Sequence, residues 1–152
     1  MNQISVVALI VVVTVLMMVQ VPLDLRTHRL SRTVTTRATV AITVIVAIDA
    51  LIAEALSTAL LSMTAALVMV TVYAMTHRIS PSSLGWGDVL LVVPLTLAIA
   101  YVSVERVLWW QLVAASTGAV QAGWVRVRHG RSHVPFGPHL LFAAWMVLVT
   151  SL

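Results

Sequence analysis

The sequence predicts an all-α, polytopic membrane protein with about six transmembrane helices, and three observations predict it. Of 152 residues, 61% are hydrophobic and only 9% are charged, where a soluble domain of this length carries roughly 25%. Apolar runs of spanning length alternate with short polar stretches along the chain. The net charge of +4 rests on nine arginines with no lysine, and these collect in the polar stretches. So few charges cannot cover a water-facing surface. Arginines so placed read as topology determinants rather than as a nucleic-acid footprint. Cysteine is absent, which excludes disulfides, thiolate catalysis and cysteine-ligated zinc.

The first apolar segment, Ile4 to Leu23, is about long enough to cross a hydrocarbon core of ~30 Å. It has no positively charged start and no small-x-small cleavage site, so it is expected to remain as a first span rather than leave as a signal peptide. A basic loop follows, with Arg26, Arg29, Arg32 and Arg37. Ala38 to Met75 is too long for one helix, because it would rise about 57 Å. A reversal is expected near Asp49–Ser57, where two carboxylates interrupt the apolar run, although neither Gly nor Pro marks a turn. The fourth span is expected over Asp88–Val104, the fifth over about Leu108–Val125, and the sixth from near Pro138 to Leu152. No internal repeat or low-complexity linker divides the chain, so residues 1–152 read as a single integral membrane domain.

The arginines orient this arrangement. With Met1 outside, the inner loops are 24–37, 77–87 and 126–137, and they hold every arginine except Arg106. Asp49, Glu54 and Glu105 fall outside. The positive-inside rule then puts both termini on the outer side, with Asp24 and Asp88 at the same cytoplasmic edge.

Those two aspartates carry the chemical reading. A carboxylate at a bilayer edge is costly and points to function. Two that approach closely cannot both ionise, so they share a proton, one acting as general base on a water and the other as acid. Gly85 and Gly87 flank Trp86 immediately before Asp88. Glycines there allow close approach of another backbone, as an extended peptide substrate requires. Further on, Pro135 and Pro138 bracket Phe136 and Gly137 and are suited to a helix start.

The remaining polar residues read more simply. Asp49 and Glu54 are expected as loop markers, with Asp49 deep enough to reach Arg106. His28, His129 and His133 share the inner face but lie in irregular segment, so solvated or lipid-phosphate-facing side chains are expected there, and no metal or organic cofactor. Trp109 and Trp110 are expected in an outer interfacial belt. The methionines read as filler.

Gly85-Trp86-Gly87-Asp88 resembles the GxGD signature of the type IV prepilin peptidases, shared in outline with presenilin and signal-peptide peptidase. Asp24-Leu25-Arg26-Thr27-His28-Arg29-Leu30 is similar to the first-aspartate motif of that family, in which an Asp closes a helix and a basic stretch leads to Ile-Pro-Asn. Val134-Pro135-Phe136-Gly137-Pro138 is similar to its Ile-Pro-Phe-Gly-Pro segment. The resemblance implies that Asp24 and Asp88 are a catalytic pair in a bacterial cytoplasmic membrane. It implies that Gly85, Trp86, Gly87, Pro135, Phe136 and Gly137 line the substrate. It also implies a prepilin-like protein substrate, cut on the cytoplasmic side after a glycine, between a basic leader and an apolar helix.

The chain departs from the pattern at two places. Leu30-Ser31-Arg32 stands for Ile-Pro-Asn, and Leu90 stands where the family usually has lysine. With no zinc-binding cysteines and little length, peptidase activity without N-methylation is expected. The departures motivate one rival, an inactive membrane subunit of a pilus or secretion assembly. A small proton-coupled transporter is a second rival, disfavoured because its carboxylates belong near mid-membrane.

Overall fold

The computed structural model describes residues 3–27, 30–80, 84–129 and 136–152, without the side chains of Arg126, Arg128 and His129. The described residues form six helices and no strand: α1 (Gln3–Thr27), α2 (Arg32–Ile52), α3 (Leu56–Ile79), α4 (Trp86–Val102), α5 (Glu105–His129) and α6 (Gly137–Val149). Three of them, α1, α2 and α3, are long and apolar enough to cross a membrane. The apolar helices α4 and α6 are shorter, at 17 and 13 residues.

The centre of the bundle is α4, which touches all five other helices. Its sequence is apolar around the whole circumference, and Leu91, Val92 and every residue from Pro94 to Tyr101 are buried, as expected of a helix without a solvent face. Around it, the outer helices each turn a single stripe inward. In α3 that stripe is Ala59, Ser62, Ala66 and Tyr73, whose small residues let α3 pack closely on α4. The opposite faces are apolar and exposed, with Leu60, Leu67, Val40 and Val44 about half or more uncovered. Threonines on these faces donate back to the carbonyl four residues earlier: Thr39 to Thr35, Thr43 to Thr39, Thr64 to Leu60 and Thr71 to Leu67. That pairing makes hydroxyls compatible with hydrocarbon.

The expected reversal lies at residues 53–55, between α2 and α3. Ala55 N–H donates to Ala50 C=O at 2.9 Å, which is a Schellman closure, and Glu54 occupies its left-handed position with φ 53°. Glycine usually fills that position. Its absence is why the turn left no mark in the sequence.

Asp49 is not a loop marker. It belongs to α2, is buried, and accepts hydrogen bonds from Ser5 Oγ at 2.5 Å and Tyr101 Oη at 2.7 Å. One carboxylate thus ties α1, α2 and α4 together at the end of the bundle opposite Asp24. Arg106 donates to Val147 C=O at 3.1 Å, so the arginine that breaks the charge rule is used to cap α6, where a cation suits the helix dipole. Trp110 is not an interfacial belt residue either. It is fully buried, with Nε1 donating to Leu140 C=O at 2.9 Å, while Trp109 is exposed. An indole N–H inside the bundle needs an acceptor, and the α6 backbone supplies it.

Replacing Asp49 by Ala strands the buried Tyr101 hydroxyl and the half-buried Ser5 hydroxyl, and the expected loss is about 1–3 kcal/mol of stability. Thermal unfolding of the detergent-solubilised chain measures it. Asp49→Asn, which keeps an acceptor, is expected to lose less.

Candidate functional site

At the other end of the bundle, the buried stripe of α1 reads Val6, Leu9, Val13, Leu16, Gln20 and Asp24. The helical repeat that faces apolar side chains to the core therefore carries Gln20 and Asp24 there too. Asp24 is 5% exposed and Asp88, in the first turn of α4, is 7% exposed. Asp88 divides its two oxygens between two tasks. Its Oδ2 accepts the Gly85 N–H at 3.2 Å, which caps α4, and a negative charge is favourable at that helix end. Its Oδ1 faces Gly137.

Gly137 brings the two carboxylates together. A methyl group there would lie 3.0 Å from Asp24 Oδ2, 3.2 Å from Asp88 Oδ1 and 3.3 Å from Leu30 Cδ1. The two oxygens are thus no farther apart than the first two of these distances combined, and any side chain at Gly137 would push on both. Gly87 is confined in the same way, since a methyl group would meet Leu30 Cβ at 3.0 Å. Leu30 therefore fills the space between the two glycines. The segments carrying Asp24, Leu30, Gly85–Asp88 and Gly137 come from three parts of the chain and meet at one point.

Beside the pair is a cavity of about 450 Å³, lined by Asp24, Leu30, Arg32, Gly85, Trp86, Gly87 and Asp88. Among the described residues, Arg32 brings positive charge to it. Trp86 is 44% exposed and its ring lies 5.3 Å from that of His77. His77 Nδ1 is 2.7 Å from Leu84 C=O, so the end of α3 holds the approach to Gly85. Phe136 packs against α5, where a methyl on Gly118 would meet its ring at 2.8 Å. Pro135 lies outside the described residues, as do His28 and His133. No cluster of three or more His, Asp or Glu among the described residues could hold a metal.

A larger, apolar groove of about 1170 Å³ begins at Pro138 and His139 and runs between α1 and α5. The backbones of these two helices stay apart among the described residues, and α6 bridges them. Met17, Val21, Leu25, Val120, Trp124 and Phe142 line it, and a hydrogen-bonded His139–Gln121 pair adds one polar spot.

Two residues here escaped the sequence reading. Gln20 is fully buried and hydrogen-bonded to Ser31 and Thr35, and Gly118 makes room for Phe136. The signal for Gln20 was available: it falls on the core stripe of α1, four residues before Asp24. Gly118 gave no signal, because nothing in α5 announces which residue faces residue 136.

Comparison with known proteins finds no matching family model, no similar curated protein and no similar solved structure.

The convergence is testable by cross-linking, and the absence of cysteine makes the background clean. Leu30→Cys with Gly87→Cys is expected to form a disulfide under mild oxidation, since the two Cβ positions need only a small shift to reach the usual ~3.8 Å. Mass spectrometry of the digested protein detects the linked peptides. Free thiols after oxidation would mean that Leu30 does not sit over Gly87.

Proposed function

We propose that this chain is an intramembrane aspartic endopeptidase of the prepilin peptidase type, with Asp24 and Asp88 as its catalytic pair. One observation carries the reading: two buried carboxylates, distant in sequence, converge on one glycine beside an open cavity. Two carboxylates so close repel when both are charged, so they hold one proton between them. The ionised member takes a proton from a water as it attacks the scissile carbonyl carbon. The protonated member hydrogen-bonds to the carbonyl oxygen, and the leaving amine is then protonated from the pair. Low dielectric around the buried pair strengthens each of these interactions.

The surroundings suit a substrate that is partly extended and partly helical. Gly85 and Gly87 border the cavity without side chains, leaving room for a strand. The apolar groove along α6 begins next to Gly137 and suits the apolar helix of a prepilin-like protein. The orientation belongs to the same proposal: six helices crossing a bacterial cytoplasmic membrane, both termini outside, and the carboxylates at the cytoplasmic edge with Arg26, Arg32 and Arg78. No methylation and no cofactor enter the scheme. A proton-coupled transporter fits less well, because the pair sits at the bundle's end rather than midway along it.

Two experiments test this. In a gel-shift assay, a candidate prepilin co-expressed with the wild-type chain is expected to shorten. Asp24→Ala and Asp88→Ala, matched for membrane level, are expected to lower cleavage about 100-fold or more. Alanine variants that cleave like wild type would sink the two-aspartate mechanism, and a wild-type chain that cleaves no prepilin would favour the inactive assembly subunit. For orientation, single cysteines introduced at Glu54 or Glu105 are expected to react with an impermeant maleimide from outside, and one at Arg78 only after the membrane is opened.

A further inference from the structure

Gln20 is an anomaly on the inner stripe of α1. Leu16 precedes it by one turn and Asp24 follows by one turn, yet Gln20 is fully buried. An amide there is costly unless its groups are paired. Its Oε1 accepts the Ser31 N–H at 2.9 Å, and its Nε2 donates to Ser31 C=O at 2.9 Å and to Thr35 Oγ1 at 2.9 Å. The carboxamide thus grips both backbone groups of Ser31, as a neighbouring strand would. Ser31 is the N-cap of α2 and makes no side-chain cap of its own. The start of α2 is therefore held from α1.

The residue next to Ser31 is Leu30, whose side chain lies against both Gly87 and Gly137. Gln20 is thereby linked by two bonded steps to the space between the carboxylates. We propose that Gln20 is a positioning residue for the aspartate pair: by clamping Ser31, it sets how far Leu30 closes the site between Gly87 and Gly137. The proposal rests on the peptidase reading for its effect on rate, but its effect on geometry stands apart from that reading.

The clamp is separable by substitution. Gln20→Met keeps the length and loses every hydrogen bond. Ser31→Pro suits the backbone, because Ser31 has φ −74°, within the range of proline; it removes the N–H and sets a ring carbon against Gln20 Oε1, so it breaks the same clamp. Both are read in two assays, in samples matched for membrane level and thermal midpoint. In the first, the Leu30→Cys and Gly87→Cys pair is oxidised in each background. Either change is expected to slow cross-linking about fivefold, an effect of displacing Leu30 that needs no catalysis. In the second, prepilin cleavage is expected to lose about tenfold or more in kcat with KM little changed, since sub-ångström placement controls the chemical step. Gln20→Met combined with Ser31→Pro is expected to be no worse than the poorer single variant, because both break one clamp.

Cross-linking at the wild-type rate in both backgrounds would overturn the proposal. So would unchanged kcat despite slowed cross-linking, or a double variant whose loss is the product of the two single losses. If the wild-type chain itself cleaves nothing, the peptidase reading falls, and the cross-linking rate alone decides whether Gln20 places Leu30.

Discussion

The structure depends on one constraint: a polar group buried in an apolar bundle needs a hydrogen-bond partner, and the large polar side chains that tie this bundle find theirs on another element. With so few charged residues, the chain has only a handful of polar side chains inside; Ser62 bonds back within α3, but several of the larger ones span two elements. Asp49 joins α2 to α1 and α4. Gln20 joins α1 to the start of α2. Tyr73 Oη donates to Gln111 Oε1 at 2.7 Å, joining α3 to α5, and Trp145 Nε1 donates to Thr14 Oγ1 at 3.1 Å, joining α6 to α1. Apolar stripes bring the helices together, but they tolerate sliding. The polar ties do not, because a slipped bond leaves a bare donor in low dielectric.

The two ends of the bundle use this constraint differently. At one end Asp49 accepts from two hydroxyls on other helices and serves as a clasp. At the other, Asp24 and Asp88 face each other across a glycine and open onto a cavity. Hydroxyl donors stabilise a carboxylate in place, whereas a second carboxylate makes it reluctant to stay charged. The same residue type therefore supports structure at one end and is suited to chemistry at the other, and neighbours alone make the difference.

Ser31, one of the two departures from the prepilin peptidase pattern, has a physical counterpart. Its N–H, which a proline would lack, is bonded to a buried amide. Serine there is thus consistent with a site held rigid by other means. Leu90 has no such account. Positive charge at the cavity comes instead from Arg32, which is part of the other departure.

Composition and periodicity alone determined that the chain is helical and apolar, that the run from Ala38 to Met75 must reverse, and that Asp24 and Asp88 each mark a helix end. These follow from local physics: backbone rise, hydropathy and the cost of charge in hydrocarbon. The tertiary structure alone decided that Asp49 is buried in α2, that Trp110 is inside while Trp109 is outside, and that Gln20 holds Ser31. It also decided which glycine the two carboxylates share. Those outcomes turn on which face of each helix meets a neighbour and on partners far away in sequence. A hydropathy profile averages over the faces of a helix, and so it cannot say what a buried polar group will meet.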